Sequence, residues 1–369
     1  MSRLRRLTES DRLGYMTRQI KVGDVKIGGG APVSIQSMAK TDTKNVSAAV
    51  REIKKLEKSG CEIIRVAVKD FEAAKAIRAI KRKVNLPLVA DIHFDYRLAL
   101  SAIENGADKI RLNPGNIYKE DEIREVVTAA KKRKIPIRVG INSGSLPVRL
   151  REPPKAAHGV GQGGKDNMVN AALDYIKVLE RMDFYDIIVS LKASDVLSTI
   201  EACRLFSKKS RYPLHLGVTA AGPVSTGIVK SSIGIGALLL EGIGDTVRVS
   251  LTGDPIEEVI AAKNILQALN LRNFGPEIIS CPTCGRCQVD LQSIVNKVAL
   301  RITNDERRIT KNCHSKIAIM GCEVNGPGEA KEADVGIACG KGTGVIFKRG
   351  KLIKRVKEKE IVRELLREL

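Results

Sequence analysis

The sequence predicts an α/β protein: a TIM (β/α)8 barrel over residues 1–275, followed by a smaller α+β domain over residues 276–369. Three observations carry the prediction. Short β-branched or apolar runs recur every few tens of residues with helix-like, charge-bearing segments between them, which is the rhythm of repeated βα units. Eight such runs precede residue 275, the number a barrel of this kind needs. Past Asn273, Phe274 and Gly275 that rhythm stops and cysteines gather instead.

The candidate strands fall at 33–38, 63–68, 88–92, 109–112, 135–141, 186–191, 214–218 and 246–251. Each runs out into polar residues: Gln36 and Ser37, Arg65, Asp91 and His93, Arg111 and Asn113, Arg138 and Asn142, Lys192, His215 and Thr219, Arg248 and Ser250. A ring of polar strand ends marks the active face of a barrel. An open doubly wound sheet would alternate strands and helices too, but no G-x-G-x-x-G follows the first strand to support a dinucleotide site. Between Ser143 and Asp166 a Gly/Pro-rich stretch, with Pro153, Pro154 and the glycines of 159–164, interrupts the rhythm and reads as a surface loop or lid. After the eighth strand a helix-like run over 255–269 leads to the boundary near Gly275. The remainder mixes an amphipathic helix at 289–301, short strands at 316–320 and 344–348, and a charged helix from Glu358.

With 369 residues and 43% hydrophobic content the chain can bury a large core, and its apolar runs are too short to span a bilayer. A soluble cytoplasmic protein with no membrane partner is expected. The start is basic from Ser2 to Arg6, but Glu9 and Asp11 follow at once, which argues against a transit peptide. A net charge of +21 favours anionic partners: phosphorylated substrates, acidic electron carriers or nucleic acid. Nucleic acid is disfavoured, because the chain has no Trp, only 6 Phe and 6 Tyr, and no aromatics interleaved with basic residues for stacking bases. Lysines such as Lys131, Lys132 and Lys134 read as a solvated helix face.

Arg65, Arg111, Arg138, Lys192 and Arg248 would converge on one mouth if the barrel forms, and five cations there imply a multiply charged phosphate ligand. For any one of them the competing reading is a salt bridge to a strand-end carboxylate such as Asp91 or Asp195. His93 and His215 fit three roles: proton carriers, phosphate donors, or hydrogen-bonded packing residues. Cys61, Cys203, Cys313 and Cys339 read as small buried hydrophobes.

The remaining cysteines are grouped. Residues 281–287 read Cys-Pro-Thr-Cys-Gly-Arg-Cys, and Cys322 stands in Gly-Cys-Glu-Val-Asn-Gly-Pro-Gly-Glu. Cys281 and Cys284, in a tight turn, aim two thiolates at one centre while backbone N–H groups face the sulfurs, and Cys322 closes the site from afar. An iron–sulfur cluster is the leading reading. A zinc ribbon is the runner-up, although it normally pairs two C-x-x-C knuckles, whereas the distal half here offers one cysteine and the carboxylate of Glu329. A disulfide pair in an exported protein fares worse, with no apolar signal segment ahead of the first strand. Two other classes compete: a zinc-stabilised nucleic-acid-binding protein, and a barrel enzyme doing other redox chemistry on a different phosphorylated substrate.

Val-Ala-Asp-Ile-His-Phe-Asp-Tyr-Arg from Val89, Arg-Leu-Asn-Pro-Gly-Asn from Arg111, Lys-Ala-Ser-Asp from Lys192, Glu-Gly-Ile-Gly-Asp-Thr from Glu241, Ser-Cys-Pro-Thr-Cys from Ser280 and Asn-Gly-Pro-Gly-Glu from Asn325 form one further pattern. Over essentially its whole length the chain resembles the bacterial 4-hydroxy-3-methylbut-2-enyl diphosphate synthases of the methylerythritol phosphate route to isoprenoids. The resemblance implies a barrel that binds 2-C-methyl-D-erythritol 2,4-cyclodiphosphate and a sulfite/nitrite reductase-like domain carrying a 4Fe-4S cluster. It implies a homodimer in which one subunit's cluster faces the other's barrel, and reductive ring opening with loss of water by two single electrons from ferredoxin or flavodoxin. The implied cluster ligands are Cys281, Cys284, Cys322 and Glu329, with Glu329 also catalytic. Local spacing alone favours Cys287 as third ligand, and the family pattern argues against it. The implied substrate residues are Arg65, Arg111, Arg138, Lys192 and Arg248 for the diphosphate, with Asn113, Asn142, Ser250, Asn325, His93 and His215 around the rest. One departure stands out: the family has Thr-Glu-Ala-Gly where this chain has Thr219, Ala220, Ala221 and Gly222. Alanine cannot transfer a proton, so low turnover is expected. Either another acid substitutes, or position 220 has been altered to slow turnover, and the second reading is preferred.

Overall fold

The computed structural model describes residues 16–145, 162–303, 315–324 and 326–369. The basic start, most of the stretch read as a lid, Cys313 and Asn325 lie outside the described residues. The chain divides after Arg272 into two compact units.

The first unit opens with a hairpin, β1 (Ile20–Val22) and β2 (Val25–Ile27), paired antiparallel with Val22 opposite Val25. The turn is Gly23-Asp24, and Gly23 takes φ 55°, which glycine adopts without strain. Ile20, Val22 and Ile27 pack against Ile63, Val89 and Ile188, which begin or lie early in the barrel strands, so the hairpin closes that end of the barrel. No strand was expected here, yet alternating I-K-V-G-D-V-K-I is a hairpin signal.

Eight parallel strands follow: β3 (Ser34–Met38), β4 (Ile63–Val68), β5 (Leu88–Ile92), β6 (Lys109–Leu112), β7 (Ile137–Asn142), β8 (Ile187–Lys192), β9 (His215–Leu216) and β10 (Thr246–Val247). Their order, β8-β7-β6-β5-β4-β3-β10-β9, becomes a nearly closed ring through a parallel bridge between Val189 and Leu214. This is the expected barrel. The strands are near-continuous apolar runs because parallel strands are buried on both faces. The last two are far shorter than 214–218 and 246–251. The Lys192 ammonium lies beside Gly217, 2.7 Å from where a Cβ would sit. Past the ladder the two segments stay joined by Arg248 N–H to Leu216 C=O, 3.0 Å, by Thr252 N–H to Gly222 C=O, 3.0 Å, and by a parallel bridge between Pro223 and Thr252.

Helices α1 (Val46–Ser59), α2 (Phe71–Lys81), α3 (Tyr96–Glu104), α4 (Glu120–Arg133), α5 (Gln162–Arg181), α6 (Val196–Lys209), α7 (Val224–Leu240) and α8 (Pro255–Ala268) connect the strands. Five start on a side chain that accepts from the first turn's N–H groups: Asn45, Asp70, Asp95, Asp195 and Asp254. Pro255 at the first position of α8 adds a preset φ. Asp195, weighed above as an arginine partner, is thus a helix cap, bonded to Ser198 N–H at 2.6 Å. Among the described residues no helix is long and apolar enough to cross a membrane.

The second unit is a five-stranded mixed sheet, β11 (Glu277–Ser280), β12 (Lys316–Met320), β13 (Val335–Gly340), β14 (Thr343–Lys348) and β15 (Lys351–Lys357), in that order. β11, β12 and β13 run parallel, and β13 to β15 antiparallel. Leu291, Ile294, Val298 and Ile302 of α9 (Leu291–Thr303), at helical spacing, pack on Ile317, Ile319 and Ile337, and α11 (Ile361–Glu368) adds Ile361 and Leu365. Between β12 and β13 lies the short α10 (Gly326–Glu332).

Candidate active site

In the barrel, register places the site. Asp91, Arg111 and Arg138 are lateral neighbours on β5, β6 and β7, so a carboxylate and two guanidinia stand at one level of the ring. Asp91, 3% exposed, is the hub: Arg111 Nη1 lies 3.4 Å from Oδ1, His93 Nε2 3.2 Å and Arg65 Nε 3.9 Å from Oδ2. Burial would raise its pKa, but Arg65, the His93 hydrogen bond, Arg111 and Arg138 overcome that and hold the carboxyl far below the usual range.

Cations outnumber this carboxylate. Arg138 is 1% exposed, and its Nε and Nη1 find no hydrogen-bond partner among the described residues. Burial, then Arg65 and Arg111, drive its pKa well down. Lys192, buried beside it, is lowered by burial and then by Arg138 and Arg248. Arg111 donates from Nη2 to the Gly140 carbonyl at 3.0 Å, an approach open only because residue 140 has no Cβ, which would stand 2.5 Å from Arg111 Nε. Arg248 lies 3.6 Å from Glu258 Oε2, and burial lowers its pKa to about 10. His215 is fully buried with both ring nitrogens unpartnered among the described residues, and burial followed by Lys192 and Arg138 keeps its pKa well below the ordinary value.

The other expected contacts are more peripheral. Asn113 is buried and accepts Gly115 N–H at 3.1 Å, shaping the loop after β6. Asn142 ends β7 in register with Lys192. Ser250 is half-buried beyond β10. Ala220 is exposed and takes φ 52°, the left-handed region that non-glycine residues rarely adopt.

Sequence reasoning passed over Lys109 and Glu258. Lys109 is fully buried, 3.5 Å from Gln36 Oε1, its pKa driven well down by burial and then by Arg138 and Arg65. Its place two residues before Arg111, on the same strand face, was a legible signal. Glu258, on a helix, gave none.

In the second unit, Cys281 follows β11 and Gly321-Cys322 follows β12, its parallel neighbour, with Ser280 opposite Ile319. Gly321 N–H points at Cys281 Sγ, 3.3 Å away, the backbone-to-sulfur contact expected of a thiolate ligand. Thr283, inside the Cys-Pro-Thr-Cys turn, takes φ 50°, an outlier for a β-branched residue. Cys284 and Glu329 are exposed and Cys322 buried. Cys287 Sγ also lies against Gly321 and donates to the Val289 carbonyl at 3.3 Å, and both Cys281 and Cys287 pack on the core. Among the described residues no three His, Cys, Asp or Glu side chains close on a single ion. The donor chemistry, thiols at two adjacent strand ends with backbone N–H facing sulfur, fits an iron–sulfur cluster. Cys61, Cys203 and Cys339 are buried, and burial pushes each thiol up to about 12, as inert packing cysteines require.

A βα barrel with buried cations at its strand ends, followed by a small sheet unit with cysteines at two adjacent strand ends, defines an α/β protein of two units. The chain matches the GcpE TIM-barrel domain over residues 17–263 and the GcpE protein C-terminal domain over residues 277–369. It is 56% identical over 353 residues to the 4-hydroxy-3-methylbut-2-en-1-yl diphosphate synthase (flavodoxin) of Thermodesulfovibrio yellowstonii, covering 96% of this chain and 98% of that one. With the synthase of the same name from Clostridium perfringens it shares 53% over 351 residues, 95% of this chain and 97% of the other. The chain belongs to the GcpE family. The barrel is also similar to dihydropteroate synthase from Stenotrophomonas maltophilia (TM-score 0.50, 15% identity, 69% of this chain and 98% of that one), a likeness of fold alone.

Proposed function

We propose that this chain opens the ring of 2-C-methyl-D-erythritol 2,4-cyclodiphosphate reductively, with loss of water, to give 4-hydroxy-3-methylbut-2-enyl diphosphate. The observation that carries the reading is the charge imbalance at the mouth: among the described residues, Arg65, Lys109, Arg111, Arg138, Lys192 and Arg248 have ion pairs only with Asp91 and Glu258. Buried cations without counterions are costly, and a diphosphate supplies both the charge and acceptors for the idle donors of Arg138.

In this reading residues 1–275 hold the substrate and residues 276–369 the cluster. Arg65, Arg111, Arg138, Lys192 and Arg248 bind the diphosphate; Asn113, Asn142 and Ser250 order the remainder, with His93, His215 and Asn325 around it. Asp91 fixes Arg65 and Arg111 before substrate arrives, so less orientation is lost on binding. Cys281, Cys284, Cys322 and Glu329 would hold a 4Fe-4S cluster, which when bound supplies two electrons one at a time. A carboxylate is a weaker ligand than a thiolate, so the Glu329 position is the one suited to give way to substrate. Ala220 leaves its strand end without the carboxylic acid that the family's Thr-Glu-Ala-Gly would place there to donate a proton, so turnover is low. The donor is flavodoxin or ferredoxin, drawn by the +21 charge, and the working form is a cytoplasmic homodimer.

The test is anaerobic purification with iron, sulfide and zinc analysis, then assay of cyclodiphosphate consumption with reduced flavodoxin. About four iron and four sulfide per chain are expected for such a cluster. One zinc and no iron would refute the reading.

A further inference from the structure

Glu258 lies outside the anion site as drawn from strand ends: it sits on α8, one turn into the helix, yet its side chain is 1% exposed. Its carboxylate joins four groups at the seam where β3 and β10, the first and last barrel strands, pair. Oε1 accepts Leu251 N–H at 3.1 Å and lies 3.6 Å from Lys40 Nζ. Oε2 accepts from Ser37 Oγ at 3.4 Å and lies 3.6 Å from Arg248 Nε. Lys40 in turn donates to the carbonyls of Leu251, at 3.0 Å, and Gly253. The segment from Arg248 to Gly253 has left the strand ladder, and these contacts hold it together with the backbone bonds from Arg248 to Leu216 and from Thr252 to Gly222. They tie it to β3 on one side and α8 on the other.

We propose that Glu258 is a positioning residue of the anion site: it fixes the guanidinium of Arg248, and the backbone that carries it, in place for the ligand. The proposal rests on the reading of the mouth as a diphosphate site. Charge and position predict opposite signs, which makes it testable. Removing a carboxylate from a cationic mouth strengthens anion binding by electrostatics alone, whereas releasing Arg248 weakens it.

The experiment is calorimetric titration of inorganic pyrophosphate into the full chain and into Glu258→Gln, Glu258→Asp, Arg248→Ala and the Arg248→Ala/Glu258→Gln double variant, each checked by circular dichroism and thermal melting. Arg248→Ala should weaken binding about tenfold or more, the worth of one charge-assisted hydrogen bond. Glu258→Gln should weaken it at least about threefold, and have no such effect once Arg248 is gone, since coupled residues are non-additive. Glu258→Asp keeps the charge but shortens the reach, and should also weaken binding; it carries the test if the glutamine variant does not fold. Unchanged or tighter binding in a folded Glu258 variant, or equal losses with and without Arg248, would overturn the proposal while leaving the anion site standing. Unchanged binding in Arg248→Ala would overturn both.

Discussion

Replacing Gly140 with alanine tests whether the mouth is built as its geometry implies. The backbone conformation at 140 is one that alanine also adopts, so no strain arises from φ; the unfolded chain would even lose entropy, favouring the variant by about 0.4–1 kcal/mol. The methyl group has no room. It would stand 2.5 Å from Arg111 Nε, 3.2 Å from Ser190 Oγ and 3.3 Å from Arg111 Nη2. Nε lies mid-side-chain, and the guanidinium is held at both ends by the Gly140 carbonyl and Asp91, so it cannot swing aside without losing one of them. A hydrogen bond from a charged donor is worth about 1.5–3 kcal/mol. Losing the bond to Gly140 outweighs the entropic gain by roughly 1–2 kcal/mol, before the weakening of the Asp91 pair is added. The stability loss should lower the melting temperature, and a misplaced Arg111, losing one charge-assisted bond to the ligand worth at least about 1.5 kcal/mol, should weaken pyrophosphate binding about tenfold. Titration calorimetry and differential scanning calorimetry read the two effects. Gly236→Ala, inside α7 with nothing within 4 Å of the added carbon, is the control and should stabilise by about 0.5–1 kcal/mol. A Gly140→Ala protein that binds pyrophosphate as tightly as its parent would refute the placement of Arg111.

Ala220→Glu, at an exposed position, should raise turnover of the cyclodiphosphate by roughly 10²-fold if a carboxylic acid there acts as general acid; an unchanged rate would show that another group supplies the proton. Cys287→Ser should retain iron and sulfide, because that thiol is spent on the Val289 carbonyl, whereas Cys284→Ser should lose most of both; iron loss in the first variant would place Cys287 among the ligands. His215 is buried with a lowered pKa, so below about pH 6.5 the unfolded chain takes up a proton that the folded chain refuses. Stability then falls as pH falls, by up to about 1.4 kcal/mol per unit from this group, and urea midpoints between pH 7 and 5 should decline less in His215→Asn than in the parent.

The barrel was legible because its signal is periodic: eight apolar runs at regular intervals survive errors of a residue or two at their ends. Its deviations come from tertiary contacts that a single run does not encode. Strands 214–218 and 246–251 look extended in sequence, yet their ladder stops at Leu216 and Val247, which the runs themselves do not encode. The strand-end arginines were legible for the same reason as the strands. Asp91 and His93 were visible in that ring too, but that Asp91 anchors Arg65 and Arg111 follows from the lateral register of β5 and β6, which pairs residues 20 positions apart. Glu258 is more remote still, 221 positions from Ser37.

Those two carboxylates show how the mouth tolerates its charge. Asp91 sits between cations and restrains them from within the ring, while Glu258 reaches in from the helix layer at the seam between the first and last strands. Neither neutralises Arg138, Lys109 or Lys192, whose pKa values burial and mutual repulsion depress. Among the described residues, buried basic side chains at the mouth outnumber the carboxylates that pair with them, a cost of folding that a bound polyanion would relieve. Ligand that binds only the folded chain stabilises it by mass action, so a site of this kind couples substrate occupancy to the stability of the barrel itself.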